Sequence, residues 1–223
     1  MDIEIEKIIR TKRKTIALHM TDNATLIVKA PLNVDDERVI KTVLKHKKWI
    51  EQKKKEIEAR DPKLSPKEFV NGEGFLYLGR YYKLEIVDNQ EVPLKFEGGF
   101  YLLRDALPQA RELFIEWYKN IAYEKISERV KLYAQKRDFK YNRVKITSAQ
   151  KRWGSSSSKG NLNFPWRLIM APLPVIDYVV IHELVHLEEK NHGKTFWSKV
   201  KMLMPDYEKN KDWLDKKGYL LEI

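Results

Sequence analysis

The segment His182-Glu183-Leu184-Val185-His186 constrains this chain more than any other stretch. Residues four apart lie nearly above one another on a helix, so His182 and His186 can aim two imidazoles at one point. The neighbours Val179, Val180, Ile181, Leu184, Val185 and Leu187 are apolar. They predict a buried helix that leaves its histidine face towards a cleft. Glu183 falls on the flank of that face, placed to act as a base beside a metal ion without ligating it. Three of the chain's five histidines lie between positions 182 and 192. The third, His192, cannot share the helical face of His186, so the chain is expected to fold back after the helix. Lys190-Asn191-His192-Gly193 offers residues that tolerate the left-handed conformation at helix ends. The expectation is a Zn2+ site built from His182, His186 and His192, one coordination position open, with Glu183 as catalytic base.

The chain has no cysteine, so disulfides and thiolate ligands are excluded and a metal must rely on His, Asp or Glu. The first residues, MDIEIEKIIRTKRK, lack the apolar core of a signal peptide. No stretch has the apolar length that spans a bilayer. The expected location is the cytoplasm, with no membrane partner. The net charge of +11 raises the question of a nucleic acid. However, Lys41, Lys45, Lys47, Lys48, Lys53, Lys54 and Lys55 alternate with Glu51, Glu56 and Glu58 along one predicted helix, which suits a solvated surface better than a phosphate-tracking stripe.

Alternation and turn residues predict strands over 3–9, 15–20 and 24–30, then a helix from Asp35 to about residue 60 and a loop over 61–66. Strands over 75–78, 81–87 and about 94–103 follow, punctuated by glycines. From Leu107-Pro108 the texture changes. A long helix is predicted over 109–138, a strand over 143–149, and a strand, turn and returning strand over 151–164. Helices follow over 175–190, 194–204 and 208–217. The fold class expected is α+β: a β-rich N-terminal region with one helix, residues 1–106, followed by a metal-binding catalytic domain, residues 107–223. His19 and His46 stand alone and read as structural.

The H-x3-H-x5-H spacing matches that of metzincins, but Glu189 stands where those proteins carry glycine, and the continuation His192-Gly193-Lys194-Thr195-Phe196-Trp197 is foreign to them. Taken together, K-R-W-G-S at 151–155, I-D-Y-V-V-I-H-E-L-V-H-L at 176–187, N-H-G-K-T-F-W at 191–197 and M-P-D-Y at 204–207 resemble the YgjP-like metallopeptidase family, which is related to SprT-like and WLM zinc peptidases. The resemblance runs over nearly the whole chain and implies a minimal zincin fold, with His182, His186 and His192 as zinc ligands and Glu183 catalytic. The family often has cysteine after W-G-S, where this chain has Ser156, so any thiol role is absent.

The function expected first is a zinc metallopeptidase acting on a peptide or unfolded protein. Gly154 and Ser155 are candidate substrate-binding residues, because a small residue on a strand beside the cleft lets another backbone approach. Tyr178 and Arg152 are candidate oxyanion donors, each with packing or surface ion pairing as the plainer role. Trp153 and Trp197 read as core aromatics. Two alternatives remain: a metal-dependent nucleotide pyrophosphohydrolase, and a nucleic-acid-associated zinc protein.

Overall fold

The computed structural model describes residues 3–21, 23–58 and 66–223. The chain folds as two compact units, residues 1–64 and 65–223. The boundary that the sequence put at 106/107 thus falls inside the second unit.

In the first unit, β1 (Ile5–Thr11), β2 (Ala17–Met20) and β3 (Leu26–Pro31) form a sheet of order β1-β3-β2. β3 runs parallel to β1 and antiparallel to β2. Its alternation turns Leu26, Val28 and Ala30 inward, onto Val39, Val43 and Ile50 of the following helices. The single helix expected here is two: α1 (Asp36–Lys45) and α2 (Lys47–Glu58). Asp35 caps α1 by accepting from the Arg38 amide at 2.7 Å. His46 ends it with non-helical backbone, at φ −102° and ψ 17°. The loop expected over 61–65 and the end of the helix beyond 58 lie outside the described residues.

The second unit opens with β4 (Gly74–Tyr77), β5 (Arg80–Val87), β6 (Leu94–Phe96) and β7 (Phe100–Leu103), in the order β4-β5-β7-β6. The strand expected over 94–103 is the hairpin β6–β7, turned at Gly98-Gly99. Leu78 and Gly79 join β4 to β5, both at positive φ (48° and 77°), which matches the right-handed strand twist in a two-residue hairpin. That turn then docks on the chain just before the histidine helix. Leu78 N donates to Ile169 O at 3.0 Å and Gly79 N to Met170 O at 2.9 Å. A Cβ on Gly79 would lie 2.8 Å from Pro172, so only glycine permits the approach.

α3 (Ala110–Arg137) places Phe114, Tyr118, Ala122, Ile126 and Val130 on one buried stripe at every fourth residue. β8 (Arg143–Thr147), β9 (Ser155–Ser156) and β10 (Asn161–Pro165) form a sheet of order β8-β10-β9. β9 is thus an edge strand of two residues, antiparallel to β10. The K-R-W-G part of the expected strand is irregular. Then come α4 (Leu173–Val185), α5 (Lys194–Leu203) and α6 (Tyr207–Lys217). No helix among the described residues is long and apolar enough to cross a membrane.

Candidate metal centre

α4 begins with prolines on either side of Leu173, where their missing amides cost nothing. From Val175 to Val185 every residue except His182 is buried. Such a helix is held from all sides. Its one buried carboxylate away from the histidines, Asp177, is held by α3. Arg129 Nε and Nη2 donate to its two oxygens at 2.6 and 2.7 Å, and Tyr133 Oη donates to Oδ2 at 3.0 Å.

The histidine helix ends at Val185, short of the expected residue 190, with His186 as its closing cap. The turn that follows is tight: Leu187 N and Glu188 N donate to the carbonyls of Leu184 and Val185, both at 3.0 Å. Left-handed backbone at Asn191 or Gly193 is not what reverses the chain. Neither has a positive φ; Gly193 is at −77°. Glu189, in the place of the metzincin glycine, ties this turn to both His186 and α5. Its carbonyl lies 2.9 Å from His186 Nδ1, and its carboxylate pairs with Lys199 of α5 at 2.7 Å.

The result is a triangle. Nε2 of His182, His186 and His192 are each 3.1 Å from the other two. An imidazole nitrogen has one in-plane orbital, which holds either a proton or a lone pair. In a ring of three, at least one pair must therefore match donor with donor or acceptor with acceptor, so hydrogen bonding alone cannot satisfy the cluster. A cation can. A tetrahedral zinc with bonds of about 2.1 Å separates its nitrogens by about 3.4 Å, close to what the triangle offers.

Burial also favours the neutral, metal-binding form of two of the rings. Burial pushes His182 down to about 3, with His186 and His192 adding to the effect. Burial lowers His186 too, against the opposing Glu189 carbonyl. Donation of the His186 Nδ1 proton to Glu189 O leaves the Nε2 lone pair free. His182 Nδ1 is buried without a hydrogen-bond partner, so packing holds that ring. Phe196, fully buried on α5, lies 4.9, 4.6 and 4.7 Å from the three imidazole centroids in chain order. Trp197 stacks on His192 at 5.7 Å and on Tyr207 at 5.2 Å.

Glu183 faces a neighbouring cavity of about 220 Å³. His182, Gly154, Trp153, Tyr178, Lys211 and Asp215 contribute to its lining. Burial pushes the Glu183 carboxyl up to about 7, with Arg152 opposing. Gly154 presses on this carboxylate: a Cβ there would lie 2.5 Å from Oε1 and 2.6 Å from Cγ. Ser155 lies beside it on the edge strand, paired with Asn163, whose side-chain amide donates to Ser155 Oγ at 3.2 Å. Tyr178 packs edge-on against His182 at 5.9 Å, and burial raises its hydroxyl. Arg152 is exposed.

Sequence reasoning assigned no role to Phe196, Lys211, Asp215 or Arg129. For Phe196 a signal existed, since it falls four residues after His192 in a stretch already marked as unusual. Asp177 and Arg129 belong to helices far apart in sequence, and nothing local pairs them.

Three histidines that converge on one point beside a buried carboxylate make a candidate metal centre. The chain belongs to the YgjP-like family, since the model of the YgjP-like metallopeptidase domain matches residues 14–217. Among solved structures, the metallopeptidase zymogen of Pyrococcus abyssi abylysin is similar at 19% identity and a TM-score of 0.39, over 42% of this chain and 95% of that one. No curated protein gives a significant match. Family membership supports a metal-dependent hydrolase of peptide bonds.

Proposed function

We propose that the protein is a zinc peptidase in which His182, His186 and His192 hold the ion and Glu183 is the general base. The observation that carries this reading is the convergence of three Nε2 atoms, each 3.1 Å from the others. Three neutral imidazoles leave a coordination position open, the pattern of catalytic rather than structural zinc. Zinc held there supplies Lewis acidity and brings the pKa of a bound water towards about 7.

The chain's own residues do the rest. Glu183 takes a proton at a carboxylate oxygen during attack on the scissile carbonyl and returns it to the departing amine nitrogen. A carboxyl held at about 7 is suited to both halves of that exchange. Gly154 keeps the carboxylate in place by offering no side chain. An extended peptide pairs along the open side of β9 from Ser155, with Gly154 just before it leaving room for the approach. Tyr178, which lines the Glu183 cavity, and Arg152, whose charge acts on Glu183, are the candidate donors for the developing oxyanion. Lys211, the one basic side chain lining the cavity among the described residues, is paired with Asp215 at 2.9 Å. That favours a peptide over a nucleotide pyrophosphate.

The test is cleavage of an unfolded protein by zinc-loaded enzyme, read by mass spectrometry. The expected outcome is discrete products, loss of cleavage with a chelator, and a fall of about a thousandfold in Glu183→Gln. Cleavage that survives in that variant would contradict the assignment.

A further inference from the structure

A second cavity, of about 380 Å³, lies in the same unit and shares no lining residue with the one beside Glu183. One wall is a face of α3, which presents Arg111, Ile115 and Lys119 at successive turns. The opposite side is made by Ser148 to Gln150, the chain leaving β8, and by Trp166 and Arg167 after β10. Leu221, Glu222 and Ile223 complete it.

Its charge is one-sided. Three cationic side chains line it with a single carboxylate side chain, Glu222, which is 70% exposed and 4.0 Å from Arg167. Arg111 and Lys119 have no hydrogen-bond or ion-pair partner among the described residues. Arg167 is nine-tenths buried, and its Nε has no partner. Buried cations are ordinarily paired, and among the described residues this one has only Glu222, the Gln150 carbonyl and the face of Trp153 at 4.7 Å.

We propose that this cavity is a binding site for a phosphoryl group, carried by a small phosphate ester. Two guanidinium forks and an ammonium present many N–H donors and no acceptors, which suits a tetrahedral dianion with several oxygens. The volume leaves room for a compact organic part beside the phosphate. The site also borders the reactive centre in sequence. Gln150 lies four residues before Gly154, and Arg167 stacks on Trp153, which lines the Glu183 cavity. An occupant held by Arg167 and the 148–150 segment braces the stretch of chain that sets Gly154 against Glu183. The proposal does not depend on the zinc assignment.

The test is calorimetric titration of the full-length protein with inorganic phosphate, and in parallel with acetate. The expected result is saturable phosphate binding that weakens about tenfold or more in both Arg111→Ala and Lys119→Ala, each a loss of one charge-assisted contact. Binding should be unchanged in His192→Ala, which separates this site from the metal. Arg111 and Lys119 lie on the outer part of the helix, so these variants should fold; a circular dichroism melt checks that they do. No saturable phosphate binding, equal binding of acetate, or binding indifferent to Arg111 and Lys119 would each overturn the proposal.

Discussion

Burial holds the Glu183 carboxyl at about 7, and this has opposite consequences for chemistry and for folding. In an unfolded chain the same group titrates at its ordinary 4.5. Below that value both states are protonated and no penalty arises. As the pH rises from 4.5 to about 7 the unfolded chain ionises and the folded one does not, so stability falls by about 1.4 kcal/mol per pH unit and the loss is complete above the folded value. Metal-free Glu183→Gln should therefore be more stable than the parent above neutrality, by roughly 3–4 kcal/mol in urea unfolding, with no difference below about pH 4.5. Gly154 belongs to the same scale. The sequence suggested that its small size makes room for a substrate backbone; the structure shows that it first makes room for Glu183. That contact spans the gap between the β8–β10 region and α4, and no local pattern announces it. Gly154→Ala should keep its metal and lose about a hundredfold in kcat/KM, because a base displaced by an ångström loses its alignment. Elemental analysis beside steady-state kinetics would check both halves.

At the scale of elements, the helices were the most legible. The stripe on α3 and the apolar run of α4 are periodic signals, and both helices begin within two residues of where spacing placed them. What periodicity could not show is where a helix stops without proline or glycine. The break between α1 and α2 falls at His46, and α4 ends at Val185 although Leu187-Glu188-Glu189 are all good helix formers. In the second case the tertiary contact wins: the Glu189 carbonyl turns to His186 and its carboxylate to Lys199. The tie between α3 and α4 lay equally beyond local reading. Its energetics follow from burial. Removing one member of the Arg129–Asp177 pair strands the other and leaves Tyr133 Oη without its acceptor. Asp177→Ala should cost about 3–5 kcal/mol, measured as a lower midpoint in urea at unchanged slope.

On the scale of the whole molecule, two hydrophobic cores account for the two compact units. One gathers Leu26, Val28, Val39, Val43 and Ile50; the other runs from Phe75 to Leu221. Sequence texture changes at Leu107-Pro108, where strands give way to a long helix. Cores do not divide there, because Phe75, Leu84, Phe100 and Leu102 of the second sheet pack with Phe114 and Tyr118 of α3. A change of secondary structure is visible in composition, whereas a change of core is a matter of which faces meet. The metal centre and every element that positions it belong to the second unit. A chain beginning at residue 66 should therefore unfold as a single cooperative transition and still retain zinc, as judged by circular dichroism and elemental analysis.

The account stands on three imidazoles sharing one cation. X-ray absorption spectroscopy on purified protein, with metal content measured on the same samples, tests this most directly. It should give about one zinc per chain with three nitrogen scatterers at about 2.0–2.1 Å, retained in Glu183→Gln and lost in His192→Ala. Zinc still bound with an unchanged first shell after His192→Ala, or a parent protein that holds no divalent ion, would contradict it.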